Sequence, residues 1–122
     1  MKSTVLVVDD DPVIRKRLCT QLESEGFRTL VAANGREALS VLEDHIPSLI
    51  LVDLEMPVMD GLAFLQELRR SPAGAKVLIV LCSSDGNPAQ IQQALDCGAN
   101  EYIMKPFDSE IVQSKFQILE LL

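Results

Sequence analysis

Five short apolar runs alternate with longer stretches whose apolar residues recur at helical spacing, and this alternation constrains the fold most. The runs are Val5–Val8, Thr29–Ala32, Leu49–Val52, Val77–Leu81 and Tyr102–Met104. The first four are rich enough in β-branched and aliphatic residues to be buried strands; the last is shorter and weaker. Between them, Ile14, Leu18 and Leu22 share a helix face at i, i+4, i+8. Leu62, Leu65 and Leu68 share another, Ile91, Ala94 and Leu95 a third, and Val112, Phe116 and Leu119 a fourth. Strands alternating with amphipathic helices imply a parallel sheet covered on both faces, an α/β fold of the (βα)5 doubly wound kind.

The punctuation agrees. Asp11-Pro12 and Asn87-Pro88 each place an N-cap before a proline at the first helical position. Asn34 with Glu37 three residues on resembles a capping box, with Asn in place of the usual Ser or Thr. Gly26 and Gly98 stand where helix C-caps fall. Asp60-Gly61 and Ser71-Pro72-Ala73-Gly74 read as loops. With 122 residues and no internal repeat, low-complexity segment or linker, residues 1–122 read as a single domain.

Composition narrows the function. Hydrophobic residues make up 48% of the chain and aromatics only 4%, so the core must be aliphatic. A net charge of −7 argues against direct nucleic-acid binding, which needs a basic footprint, and against docking on anionic lipid. A protein partner fits better. Cys19, Cys82 and Cys97 are odd in number and form no CxxC pair, so they read as reduced, mostly buried thiols. There is no basic-then-apolar leader, and no apolar run approaches the about 20 residues of a membrane span. The expectation is a cytoplasmic monomer.

In open parallel sheets, sites form beyond the carboxyl ends of the strands. Asp9, Asp10 and Asp11 follow the first run, Asp53 the third, Ser83 and Ser84 the fourth, and Lys105 and Pro106 the fifth. Each is unremarkable alone: a solvated loop with an N-cap, a strand-ending acid, a surface lysine. At the ends of four strands they gather acids, a hydroxyl and an amine along one edge. Clustered carboxylates repel one another, and a hard divalent cation relieves that repulsion. An all-oxygen, water-rich site suits Mg²⁺. A carboxylate beside Mg²⁺ can attack phosphorus and form an aspartyl phosphate, with Lys105 neutralising the phosphoryl oxygens and Ser83 hydrogen-bonding the product. His45 reads as a solvated helix end, and Met56 and Met59 as packing around Pro57.

The stretches Val5-Leu-Val-Val-Asp-Asp-Asp-Pro12, Leu51-Val-Asp-Leu-Glu-Met-Pro-Val-Met-Asp-Gly61 and Gly98-Ala-Asn-Glu-Tyr-Ile-Met-Lys-Pro-Phe107 resemble the response-regulator receiver family of two-component systems. The closing run Glu101–Asp108, with Ile111 and Lys115-Phe116, looks most like the stand-alone chemotaxis regulators. The resemblance implies a flavodoxin-like sheet in the order 2-1-3-4-5. It makes Asp53 the phosphoacceptor and assigns Mg²⁺ to Asp9, Asp10, Asp53 and the backbone carbonyl of Glu55, with Asp10 a direct ligand and Asp9 acting through water. Lys105 becomes the phosphoryl contact, joined to Pro106 by a cis bond. Ser83 and Tyr102 become the switch pair.

The implied partners are a histidine kinase as phosphoryl donor and a protein that reads the face of the fourth helix, fifth strand and fifth helix. For a chemotaxis regulator that reader is a flagellar motor switch protein. Ser83 and Ser84 stand where the family commonly has Thr and Ala. With Glu55 and Asp85, Ser84 falls at positions that tune phosphoryl lifetime. Two other functions fit parts of the pattern. One is the receiver half of a DNA-binding regulator. The other is a Mg²⁺-dependent phosphatase, for which Asp53-Leu54-Glu55 only loosely imitates the paired acids and no cap insertion is present.

Overall fold

The computed structural model describes residues 3–56, 58–71, 74, 77–83, 87–105 and 109–118, without the side chains of 109 and 115–118. Strands and helices alternate throughout: β1 (Thr4–Val8), α1 (Pro12–Ser24), β2 (Arg28–Ala32), α2 (Gly35–Asp44), β3 (Leu49–Asp53), α3 (Gly61–Arg70), β4 (Leu78–Ser83), α4 (Pro88–Asp96), β5 (Glu101–Met104) and α5 (Ser109–Ile118). The strands form one parallel sheet in the order β2-β1-β3-β4-β5. This is the doubly wound, flavodoxin-like order.

Strand alternation divides the core in two. Leu6, Val8, Ile50, Val52, Ile79 and Leu81 face one way, where Ala38 of α2, Phe64, Leu65 and Leu68 of α3 and Ala94 of α4 cover them. Val5, Val7, Leu49, Leu51, Val80 and Cys82 face the other way, under Leu18 and Leu22 of α1 and Val112 of α5. The residues of β1 and β3 that pair with one another are essentially inaccessible, which is why these runs lack polar alternation.

The caps form as expected. Asp11 accepts from the amides of Val13 and Ile14, Asn34 from Glu37, and Asn87 from Ala89. Gly26 and Gly98 adopt positive φ, +97° and +113°, as helix-terminating glycines do. In the capping box, Glu37 turns back to the amide of Ala33 rather than to that of Asn34 itself. Cys82 is buried as expected, whereas Cys19 and Cys97 are only half-buried. His45 is the C-cap of α2. Met56 is buried and Met59 packs against the same core cluster. Phe116 and Leu119 have side chains outside the described residues.

Asp60-Gly61 is a helix start rather than a loop. Asp60 caps α3 by accepting from Ala63 at 2.8 Å, and Gly61 is the first helical residue. At the other end of α3, Arg69 ties three segments together. Its guanidinium donates to the carbonyls of Gly98 (2.6 Å from Nη2), Gly74 (2.7 Å) and Val77 (2.8 Å), and to Asn100 Oδ1 (3.2 Å). The loops below the sheet are thereby closed on one cation. Among the described residues, no helix is long and apolar enough to cross a membrane.

Candidate functional site

The carboxyl edge of the sheet is built by backbone first. The Asp9 amide extends the β1–β2 ladder by donating to Ala32 at 3.1 Å, the Leu54 amide donates to Cys82 at 2.9 Å, and the Lys105 amide donates to Ser83 at 2.8 Å. These bonds carry strand geometry past the strand ends and fix where the side chains of residues 9, 53, 83 and 105 leave. By alternation Asp9, Asp53 and Lys105 leave on the α1–α5 side. Ser83 leaves on the α4 side, the side on which Tyr102 packs.

Three carboxylates converge. Oxygen atoms of Asp9, Asp10 and Asp53 all lie within 4.8 Å of one another. Asp9 and Asp53 are 1% and 7% exposed, so two acids sit in a poorly hydrated place, while Asp10 stands at the exposed rim. Lys105 lies between the buried two, with Nζ 2.7 Å from Asp9 Oδ2 and 3.2 Å from Asp53 Oδ2. Asp53 Oδ1 also accepts from the Glu55 amide at 3.1 Å, and Asp9 Oδ1 from the Asp11 amide at 2.9 Å.

Burial raises the Asp53 carboxyl above its ordinary value. The Glu55 amide and Lys105 oppose that rise, and the Asp9 charge adds to it. Burial alone would lower the Lys105 ammonium, but its hydrogen bond to Asp9 and the charges of Asp53 and Asp9 win and raise it. One ammonium against three carboxylates leaves an excess of negative charge aimed at one point. An all-oxygen donor set of that charge fits a hard divalent cation.

The turn after β3 depends on Gly61. Its amide donates to Leu54 at 3.0 Å, and a Cβ there would lie 2.6 Å from the Asp53 carbonyl oxygen and 2.8 Å from Leu54 Cα. Both obstacles are backbone and cannot swing aside. Gly61→Ala is expected to cost about 3 kcal/mol, as overpacking does, despite alanine's better helix propensity. Urea unfolding measures it.

The sequence profile of the response regulator receiver domain matches residues 5–117. The chain belongs to that family. Receiver domains are phosphoacceptor signalling modules served by histidine kinases, rather than conventional enzymes. This receiver is 37% identical over 118 residues to the regulatory protein AtoC of Escherichia coli (strain K12), covering 93% of this chain but 25% of AtoC. It is 40% identical over 104 residues to an uncharacterized 14.6 kDa protein of Leptolyngbya boryana, covering 85% of this chain and 79% of that protein. Against the probable transcriptional regulators ycf27 of Pyropia yezoensis, Porphyra purpurea and Cyanophora paradoxa, the receiver spans just under half of the relative's length.

Among solved structures, the chemotaxis response regulator CheY4 of Vibrio cholerae superimposes with a TM-score of 0.91 at 30% identity, all of both chains covered. The receiver domain of the sensor histidine kinase PA1611 of Pseudomonas aeruginosa PAO1 gives 0.88 at 29% identity, with 97% of each covered, and has a magnesium ion coordinated in its active-site cleft.

Of the residues singled out in the sequence, Asp9, Asp10, Asp53 and Lys105 meet directly. Glu55 reaches Asp53 through its amide, with its side chain exposed. Ser83 is buried at the end of β4. Tyr102 is half-buried, lining a groove of about 390 Å³ with Pro88, Ile91, Gln92, Leu95 and Met104. Ser84, Asp85 and the Lys105–Pro106 bond lie outside the described residues. Sequence reasoning missed Arg15, whose Nη1 donates to the Asp9 carbonyl at 2.8 Å. The run Arg15-Lys16-Arg17 gives no sign that one of the three turns inward.

Proposed function

We propose that Asp53 is the phosphoacceptor of a Mg²⁺-dependent signalling switch fed by a histidine kinase. The observation that supports this is the placement of its carboxylate. It is desolvated, held by the Glu55 amide and the Lys105 ammonium, and surrounded by the acids a cation would bind. Asp10, Asp53 and the Glu55 carbonyl would hold Mg²⁺, with Asp9 acting through water. When bound, the ion neutralises the acids and the phosphoryl oxygens.

An Asp53 carboxylate oxygen attacks the phosphorus of the kinase's phosphohistidine. The phosphorus–nitrogen bond breaks as the phosphorus–oxygen bond forms, and the departing imidazole takes a proton from solvent. Lys105, fully charged because of its carboxylate neighbours, follows the phosphoryl oxygens, and Ser83 donates its hydroxyl to them. Water later hydrolyses the acyl phosphate at a rate tuned by Glu55, Ser84 and Asp85.

The output surface is α4–β5–α5. Ser83 and Tyr102 leave the sheet on its α4 side, and Tyr102 lines the groove against α4. Met104 in that groove is 39% exposed and Ile111 on α5 40%, apolar surface that a partner protein would cover. A chemotaxis regulator that binds a flagellar motor switch protein is the finer reading, supported by the end-to-end likeness to CheY4. The receiver part of a DNA-binding regulator is the second, supported by AtoC and by the DNA-binding response regulator MtrA of Mycolicibacterium smegmatis, 37% identical over 107 residues.

Acetyl phosphate tests the central claim. Intact mass is expected to rise by one phosphoryl group when Mg²⁺ is present and to stay unchanged with excess chelator. No gain with Mg²⁺ would sink the proposal. Binding of the phosphorylated chain to a flagellar motor switch protein separates the two output readings.

A further inference from the structure

The loop that carries the acid pair is three residues long, Asp9 to Asp11, between the end of β1 and Pro12 at the start of α1. Three bonds hold Asp9 itself: its amide on Ala32, and its carboxylate under the Asp11 amide and the Lys105 ammonium. None of them holds the peptide that joins Asp9 to Asp10. In a parallel ladder the next bond would run from the Asn34 amide to the Asp9 carbonyl. Asn34 has instead turned away to cap α2. Arg15, one turn into α1, supplies the missing donor, with Nη1 2.8 Å from the Asp9 oxygen. Its neighbours Lys16 and Arg17 line the outer, open face of α1.

We propose that Arg15 is a positioning residue for the cation site: by pinning the Asp9 carbonyl it fixes the peptide plane from which Asp10 departs, and so aims the rim carboxylate at the buried ones. The inference rests on the proposed Mg²⁺-dependent function and adds a residue to it. Because the peptide is planar, turning the carbonyl turns the Asp10 amide with it, and the carboxylate swings at the end of that lever. Asp10 is exposed, so packing does little to hold it in place.

A purely electrostatic role for Arg15 predicts the opposite of a positioning role. A guanidinium close to a cation site repels the cation, so deleting it should tighten Mg²⁺ binding. Deleting a positioning residue should weaken it, and partners behind metal ligands are commonly worth about 10- to 100-fold in affinity or activity.

Calorimetric titration of the full chain with magnesium chloride decides between them. The variants are Arg15→Met, Arg15→Lys and Lys16→Met, with thermal unfolding followed by circular dichroism. Arg15→Met is expected to bind Mg²⁺ about tenfold more weakly than wild type. Lys16→Met, which loses the same charge without touching Asp9, is expected to bind equally or slightly more tightly. Arg15→Lys, which keeps a donor of shorter reach, is expected to fall between Arg15→Met and wild type. A folded Arg15→Met that binds Mg²⁺ as tightly as wild type, or more tightly, overturns the proposal. If Arg15→Met does not fold, Arg15→Lys decides: weakened binding supports the role and wild-type binding overturns it. A wild-type chain that binds no Mg²⁺ overturns the proposed function and this inference with it. Normal wild-type binding with an indifferent Arg15 overturns this inference alone.

Discussion

Asp53→Asn is expected to abolish phosphorylation by acetyl phosphate while making the Mg²⁺-free chain more stable. The first half follows from chemistry, since an amide oxygen is no nucleophile toward phosphorus at neutral pH. The second half follows from the site. Asp53 is 7% exposed, and its carboxyl titrates above the ordinary range because burial, reinforced by the Asp9 charge, outweighs the Glu55 amide and Lys105. The ionised form is therefore worse off folded than unfolded, and neutralising it removes that penalty. Asparagine keeps an oxygen for the Glu55 amide, and Lys105 keeps its 2.7 Å bond to Asp9. The variant is therefore expected to unfold at a higher urea concentration than wild type in chelator. Adding Mg²⁺ should narrow or reverse the difference, because only the wild type retains all three carboxylates to bind it. Urea unfolding with and without Mg²⁺ measures both. A variant that is less stable than wild type in chelator would contradict the account of Asp53 as a strained acid.

That account separates what the sequence makes legible from what it does not. The strands were readable because apolar runs such as Val5–Val8 and Leu49–Val52 have one physical use in a chain this polar elsewhere. The acids and Lys105 were readable because strand ends in such a sheet converge whatever the loops do. The strand order came from the family resemblance, since nothing in the apolar runs says which neighbours which.

Contacts that depend on a single side-chain trajectory were not legible. Arg69 at the end of α3 looks like a cation complementing the helix dipole, yet it closes the loops at Gly74, Val77 and Gly98. Arg15 sits in a basic triplet that reads as a solvated face. Gly61 follows Asp60 as a loop glycine would, and nothing in the pair shows that it starts a helix against the Asp53 carbonyl. Half-buried Cys19 and Cys97 were missed for a related reason, since a thiol in mid-helix or at a helix C-cap carries no sign of how closely the next element covers it.

The site's polarity was thus readable and its rigidity was not, and Lys105 is where the two meet. Lys105→Met should cost about 3 kcal/mol, the low end for breaking a buried ion pair, because Asp9 and Asp53 would face each other without a cation. The pH dependence gives the sign. Wild-type Lys105 titrates above 10.5, so the stability it contributes is fully present below that pH and is lost as pH rises through its folded-state value. Asp53 titrates above 3.8. Between 3.8 and its folded-state value the folded chain binds the extra proton, so its contribution to stability rises as pH falls through that window. Removing Lys105 pushes the Asp53 carboxyl higher still. The variant should then gain more from acidification than wild type does, starting at a higher pH, and should lose the alkaline transition assigned to Lys105. Its Mg²⁺ affinity should rise, because a competing cation has gone, while its phosphorylation by acetyl phosphate should fall by about 100-fold, the usual cost of removing one preorganised charge from a phosphoryl acceptor site. Opposite movements of metal affinity and phosphorylation in one variant would place Lys105 on the phosphoryl group rather than on the metal. Parallel losses of both would make it a structural tie between β1, β3 and β5, and would leave the phosphoryl oxygens to the cation and Ser83.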